Sequence, residues 1–267
     1  MKINASLIIT TYNWVEALNL VLMSVNNLSL KPLEVIIADD GSNSETKELV
    51  TRWSKKMSLP IIHVWQEDKG FRAARIRNKA ALAANGNYLI YIDGDCILRP
   101  NFIKNHIKLA KKGYFVAGNR VLIDRDFSEE ILDQQLDISV FKPFQYLPTS
   151  LGRRWPLFEI PLGFIRTIHR NNWKKLKGCN FAAWKDDVFL INGSDESFIG
   201  WGYEDSEMAI RLLNNGIKLL NGRFSTTVLH IWHKERDRSF QTENWAKLQH
   251  VLKSNKLTAE KGLKAMP

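Results

Sequence analysis

The sequence predicts an α/β fold with a Rossmann-like, mostly parallel central sheet flanked by helices. Three observations carry that expectation. Short apolar runs alternate with helical patterns through the first half of the chain. The runs are continuously apolar, as strands covered on both faces require. Each of several runs also ends in a polar cluster, at the carboxyl edge where such sheets bind ligands.

Taken in order, Ala5 to Thr11 (ASLIITT) is expected to be a buried strand and Trp14 to Asn26 an amphipathic helix. Leu33 to Asp39 is a second strand, Glu45 to Lys55 a helix, and Ile61 to Trp65 a third strand. The Ala- and Arg-rich Arg72 to Ala84 is a helix, Tyr88 to Asp93 a fourth strand, and Asn101 to Lys111 a helix after Pro100. From Asp124 to Lys177 the rhythm breaks. Pro143, Pro148, Pro156 and Pro161 fall among aromatic and basic residues that include Arg153-Arg154-Trp155, which predicts an irregular, partly helical insertion. Compact patterning returns from Gly178 to His233, with a helix near Ser206 to Asn214. The Lys-rich tail is helical around Glu243 to Lys253.

The 267 residues suffice for a substantial core, and 45% apolar with 25% charged residues is ordinary for a globular chain. A net charge of +10 favours anionic partners such as phosphorylated small molecules, nucleic acid or an acidic membrane face. Cys96 and Cys179 form no CxxC pair, which argues against a disulfide scaffold or a cysteine-based zinc site and fits a reducing compartment. No run approaches the ~18 apolar residues of a spanning helix, and no signal-like leader precedes the first strand. The expected location is cytoplasmic, with possible peripheral contact on the anionic inner face of the plasma membrane.

Polar clusters follow the first, second and fourth strands: Thr10-Thr11-Tyr12-Asn13, Asp39-Asp40-Gly41-Ser42 and Asp93-Gly94-Asp95. Alone, each is an ordinary turn or helix cap. Together they share one sheet edge. In extended backbone Asp93 and Asp95 point the same way and can converge on Mg²⁺ or Mn²⁺ bound to a diphosphate. Asp40 is placed to accept a hydrogen bond from a base imide, and Tyr12 to cover a base face. Arg72, Arg75 and Arg77 begin a helix whose positive end suits diphosphate oxygens, but Arg77 is expected on a solvated helix face. Downstream, Gly200-Trp201-Gly202 predicts a loop with unusual backbone angles and an aromatic platform, ahead of Glu204 and Asp205 at a helix start. His230 and His233, in HIWH, have a spacing that suits metal ligation.

These clusters, in order and spacing, resemble the family 2 glycosyltransferases of the GT-A fold. The GCNFAAWKDD…DESFIGWGYEDSE…RLLNNGIK…HIWH segment is also similar to β-1,4-galactosyltransferases and chondroitin-type polymerases. The resemblance implies a UDP-sugar donor, inversion at the anomeric carbon, and a glycan or glycolipid acceptor in surface polysaccharide or lipopolysaccharide biosynthesis. It implies that Thr10, Tyr12 and Asp40 hold the uridine, that Arg72 approaches the diphosphate, and that Asp93 faces the ribose and donor sugar. Asp95 would ligate a divalent Mn²⁺ or Mg²⁺ together with His230 or His233. Asp205 would be the catalytic base, Glu204 would hydrogen-bond the acceptor, and Trp201 would pack against its ring. The expected organisation is a nucleotide-sugar-binding half (1–123), a variable insertion shaping the acceptor region (124–177), a catalytic C-terminal half of the same domain (178–237) and a basic helical tail (238–267). A nucleotidyltransferase is the alternative within enzymes, but neither GxGxxG nor GxxxxGK[ST] occurs. A basic nucleic-acid-binding protein is the alternative outside them, without a recognisable reader motif, so no nucleic-acid partner is expected.

Overall fold

The computed structural model describes residues 2–146, 155–234 and 237–266. Pro148, Arg153 and Arg154 of the insertion lie outside the described residues. In chain order the elements of the first half are β1 (Ala5–Thr11), α1 (Val15–Asn26), β2 (Glu34–Asp39), α2 (Ser44–Lys56), β3 (Ile61–Trp65), α3 (Ala73–Ala83), β4 (Tyr88–Asp93), β5 (Cys96–Ile97) and α4 (Phe102–Leu109). Then come β6 (Tyr114–Ala117), β7 (Asn119–Leu122), α5 (Arg125–Asp133), β8 (Asn180–Trp184), α6 (Lys185–Leu190), α7 (Glu204–Asn214), β9 (Lys218–Asn221), β10 (Thr227–His230) and α8 (Gln241–Ser254). The insertion holds α5 and short 3-10 turns, among them Trp155–Leu157, Gly163–Thr167 and Trp173–Lys175.

Seven strands form one sheet in the order β3-β2-β1-β4-β8-β6-β9. β3, β2, β1 and β4 are parallel, and β8 alone runs against its neighbours β4 and β6. The continuous apolar runs have the expected cause. Leu7 and Ile9 of β1 enter a core with Leu18 and Leu22 of α1, Trp53 of α2 and Phe102 of α4. Ile8 points to the other face, against Ile76 and Ala80 of α3 and Met208 and Leu212 of α7. Register then aligns the strand ends: Thr11 lies beside Asp39, Thr10 beside Asp93, and Asn180 beside Ile92.

A second, three-stranded sheet in the order β5-β10-β7 covers a smaller apolar cluster that includes Leu20, Val121, Ile131 and Leu229. Its register pairs His230 with Cys96, and the Ile231 N–H donates to the Asp95 carbonyl at 3.0 Å. Two short strands distant in sequence thereby bring the HIWH segment against Asp95. Among the described residues no helix is long and apolar enough to cross a membrane.

Helix α7 is held by a fully buried pair, Arg211 and Glu207, whose guanidinium also donates to the Ile191 carbonyl at 2.5 Å. Removing one partner of such a pair strands the other charge in the core. Glu207→Ala is therefore expected to cost roughly 3–5 kcal/mol in a urea melt. Glu129→Ala, which breaks the exposed Arg125–Glu129 pair, is expected to cost less than about 1 kcal/mol.

Candidate active site

One side of the candidate site is built from the ends of β1 and β2. The Asp40 N–H donates to the Thr11 carbonyl at 3.0 Å, which closes the two strand ends together. The buried Asp40 carboxylate accepts from the Gln66 side chain at 2.6 Å and from the Arg72 backbone N–H at 2.7 Å. Burial raises its pKa, while the two donors and the Arg72 charge pull it back. Asp40 thus anchors the first residue before α3. The Tyr12 hydroxyl donates to Asp68 at 2.8 Å, a contact that keeps the phenol protonated and leaves its ring 40% exposed. The Arg72 guanidinium bonds to the Glu67 carbonyl, and its Nε is buried without a hydrogen-bond partner in the structure. Arg75 pairs with the buried Glu196 carboxylate at 2.9 Å.

Arg77 corrects an expectation. It does not lie on a solvated face; it is 6% exposed and reaches under the strand ends. Its Nη2 lies 3.1 Å from Asp93, its Nη1 3.5 Å from Glu204 and its Nε 3.4 Å from the Thr10 hydroxyl. The reason is helical periodicity. Ala73, Ile76, Arg77, Ala80 and Ala81 are buried at the spacing of one helix face, so Arg77 occupies a core-facing position. Gly178 makes room for it, because a Cβ there would sit 3.1 Å from the guanidinium. Burial alone would lower the Arg77 pKa, but Asp93, Glu204 and Asp205 together hold it above the usual arginine value.

The loop before α7 adopts left-handed backbone at Gly200, Gly202 and Tyr203, with φ of 71°, 118° and 69°. Gly202 meets nothing where a Cβ would be, so backbone conformation explains that glycine. The expected unusual angles are present, and they extend to a tyrosine whose ring packs on Trp245 of α8 with centroids 5.1 Å apart. Trp201 remains 37% exposed, with the Arg238 guanidinium 5.2 Å from its ring centroid. The Gly200 N–H donates to the Phe71 carbonyl at 3.2 Å, which ties this loop to the one preceding α3.

Glu204 and Asp205 open α7, two residues before the expected start. Asp205 accepts from the Gly178 N–H at 2.8 Å and from the Ser206 N–H at 2.6 Å, so its orientation is set by backbone donors. Glu204 is pushed up to about 7 by burial and by the Asp205 charge beside it, against the pull of Arg77. It therefore exchanges its proton near neutral pH.

On the other side of Asp93, the Asp95 carboxylate lies 3.4 Å from His230 Nε2 and 3.5 Å from His233 Nε2. The two imidazole centroids are 5.3 Å apart. His233 Nδ1 is 2.9 Å from the Lys234 carbonyl, an obligate acceptor, so Nδ1 donates there and Nε2 is the nitrogen that faces Asp95. Burial lowers the His230 pKa and favours the neutral ring, the form that binds metal. One carboxylate and two imidazoles form a donor set that fits a divalent cation. The Cys96 thiol, 3.5 Å from Asp95, is a further neighbour that the sequence reading leaves out, and it forms a compact buried group with Asp95 and His230. Burial pushes its pKa well above the usual thiol range, which keeps the proton on sulfur. Adjacency to Asp95 in sequence was the available signal.

The structure thus brings together Thr10, Asp93, Glu204 and Asp205 around Arg77, and Asp95, His230 and His233 beside them. Tyr12, Asp40 and Arg72 line the β1–β2 end. Arg75 lies off this line, paired with Glu196, and Trp201 stands on the loop in front of α7.

A family model described as Glycosyl transferase family 2 matches residues 6–170, and one described as the N-terminal domain of galactosyltransferase matches residues 165–234. Among curated relatives, validoxylamine A glucosyltransferase of Streptomyces hygroscopicus subsp. jinggangensis is 27% identical over 82% of this chain and 54% of its own length. Chondroitin synthase of Escherichia coli is 28% identical over 79% of this chain and 32% of its own length. The chain therefore spans about half or less of the relatives it matches. A mannosyltransferase from Pyrobaculum calidifontis, in complex with GDP-Man and Mn2+, has a TM-score of 0.63 at 17% identity, covering 95% of this chain and 64% of that one. Its likeness concerns the fold, which is the GT-A fold expected from the ordered clusters. With the first model spanning more than half of its residues, the chain belongs to glycosyl transferase family 2.

Proposed function

We propose that this chain transfers a sugar from a UDP-sugar to a glycan or glycolipid acceptor by a metal-dependent, inverting single displacement in surface polysaccharide or lipopolysaccharide assembly. The observation that carries the reading is the convergence of two half-sites. Asp95 with two imidazoles stands on one side of Asp93, and the Glu204–Asp205 pair stands on the other, joined through Arg77. In this reading residues 1–123 hold the donor, 124–177 shape the acceptor region, 178–237 supply catalysis and 238–267 form a basic tail.

Asp95, His230 and His233 would hold the cation, and imidazole donors favour Mn²⁺ over Mg²⁺. When bound, such an ion neutralises a diphosphate and stabilises it as a leaving group. The protein's own residues do the rest. Tyr12 offers a ring face to the base, Asp40 and Thr10 offer acceptors at the strand ends, and Arg72 brings an unpartnered Nε to the same edge. Asp93, fixed by Arg77, faces ribose and donor sugar. Arg75, occupied by Glu196, would reach the diphosphate only by exchanging partners. On the acceptor side, Trp201 presents a face for a sugar ring. Asp205, oriented by the Gly178 and Ser206 N–H groups, takes the acceptor hydroxyl proton as the oxygen bonds to the anomeric carbon and the bond to the diphosphate breaks. Glu204, once ionised, accepts a hydrogen bond from the acceptor.

Donor screening by nucleotide release tests the reading. Asp205→Asn should lower kcat by about 10²–10⁴ with little change in donor KM. Full turnover in that variant would remove Asp205 from its role. Because the Glu204 carboxyl is protonated below about 7 and charged above it, kcat/KM should rise as pH passes through that value. Glu204→Gln should flatten this rise in the same profile. Arg77→Met, which leaves Asp93, Glu204 and Asp205 without their buried cation, should cut kcat by at least ~10²-fold, with Arg77→Lys recovering part of the loss. Equal rates for Arg77→Met and wild type would contradict the coupling of the two half-sites.

A further inference from the structure

The insertion presents an apolar surface whose side chains have no assigned part in the proposed transfer. Phe164, Ile165 and Ile168 project from one 3-10 turn and the residue after it, with Phe164 82% and Ile168 63% exposed. Trp155 nearby in sequence is 73% exposed, its ring 6.3 Å from that of Phe158. Isolated exposed apolar residues are commonplace, but a run of large ones marks a contact surface.

This surface is rigidly mounted. The buried Arg166 guanidinium donates to the carbonyls of Asn221 and Arg223 at 2.7 and 2.9 Å and to the Ser225 hydroxyl at 2.5 Å. The Leu219 N–H donates to the Arg170 carbonyl at 2.7 Å, which fastens the following residues along edge strand β9. β9 runs parallel to β6, and β6 and β4 both run against β8, so the end of β9 points the same way as Asp93.

Charge decides what such a surface meets. The described residues 155–177 contain five Lys and Arg but one acid, Glu159. Arg170, Lys174 and Lys175, which follow the apolar turn in sequence, are exposed. We propose that this face docks on an anionic lipid surface, with Phe164, Ile165 and Ile168 entering the headgroup boundary and the flanking cations resting on lipid phosphates. A second copy would bring like charges together, which disfavours self-association through this face. Two of the three large apolar side chains at this turn are isoleucines, which have no π-face for bases to stack on, so the turn favours lipid over single-stranded nucleic acid. Docking of this kind holds the carboxyl edge of the sheet near the membrane, independently of whether transfer proceeds as described above.

The test is co-sedimentation of the full chain with vesicles of phosphatidylcholine alone or mixed with phosphatidylglycerol. Wild type should partition at least ~10-fold better onto the mixed vesicles, and added salt should weaken the effect. Phe164→Ser/Ile168→Ser and Lys174→Glu/Lys175→Glu should each lose about tenfold or more, with unchanged thermal melts because all four side chains are exposed. Asp205→Asn should dock like wild type, which separates this proposal from the reaction. Undiminished partition of both double variants would overturn it. So would self-association in sedimentation velocity, or RNA binding, that the apolar variant abolishes while vesicles compete with neither.

Discussion

One buried cation organises the carboxyl edge of the central sheet. Asp93 ends a strand while Glu204 and Asp205 open a helix, and three carboxylates gathered without compensation would repel one another. The Arg77 guanidinium lies among them, bonded to Asp93 and Glu204 and held by Thr10. Its fork geometry serves two acceptors at once, which a lysine could not match. The environment divides the labour between the acids of α7. Backbone donors orient Asp205, whereas burial and a like charge place the Glu204 titration near neutrality. An adjacent pair so differently situated suits chemistry that moves one proton.

The second organising feature is topological. Asp95 follows β4 directly, but its imidazole neighbours arrive through a separate three-stranded sheet whose register sets His230 opposite Cys96. Backbone pairing therefore decides where the histidines stand, and the Lys234 carbonyl decides which nitrogen of His233 faces inward. Sites mounted on paired strands hold their geometry better than sites on free loops.

Much of the fold was legible in the sequence. The strands Ala5–Thr11 and Tyr88–Asp93 have the expected bounds because they are mostly buried on both faces and end abruptly in polar clusters, and the half-buried edge strand Ile61–Trp65 has its expected bounds too. The antiparallel insertion of β8 was not foreseen, since NFAAW is as apolar as its parallel neighbours and carries no sign of direction. Arg77 was misplaced because charge was weighed above helical spacing. Arg75, two residues earlier, illustrates the converse limit: its position near a helix start suggested an anion, and the structure gives it Glu196, a partner from a distant loop. Such pairings depend on tertiary approach and leave no local trace.

Family membership leaves open which residues hold the cation, and the most direct test is Mn²⁺ binding in the presence of UDP, followed by electron paramagnetic resonance. Asp95 should contribute a ligand, and His230 and His233 should complete the set. Asp95→Asn and His233→Ala should therefore each weaken Mn²⁺ binding by about 10- to 100-fold, while Arg75→Ala, outside the cluster, should leave it unchanged. Mn²⁺ affinity untouched in both the Asp95 and His233 variants would contradict a shared site built from the two sheets.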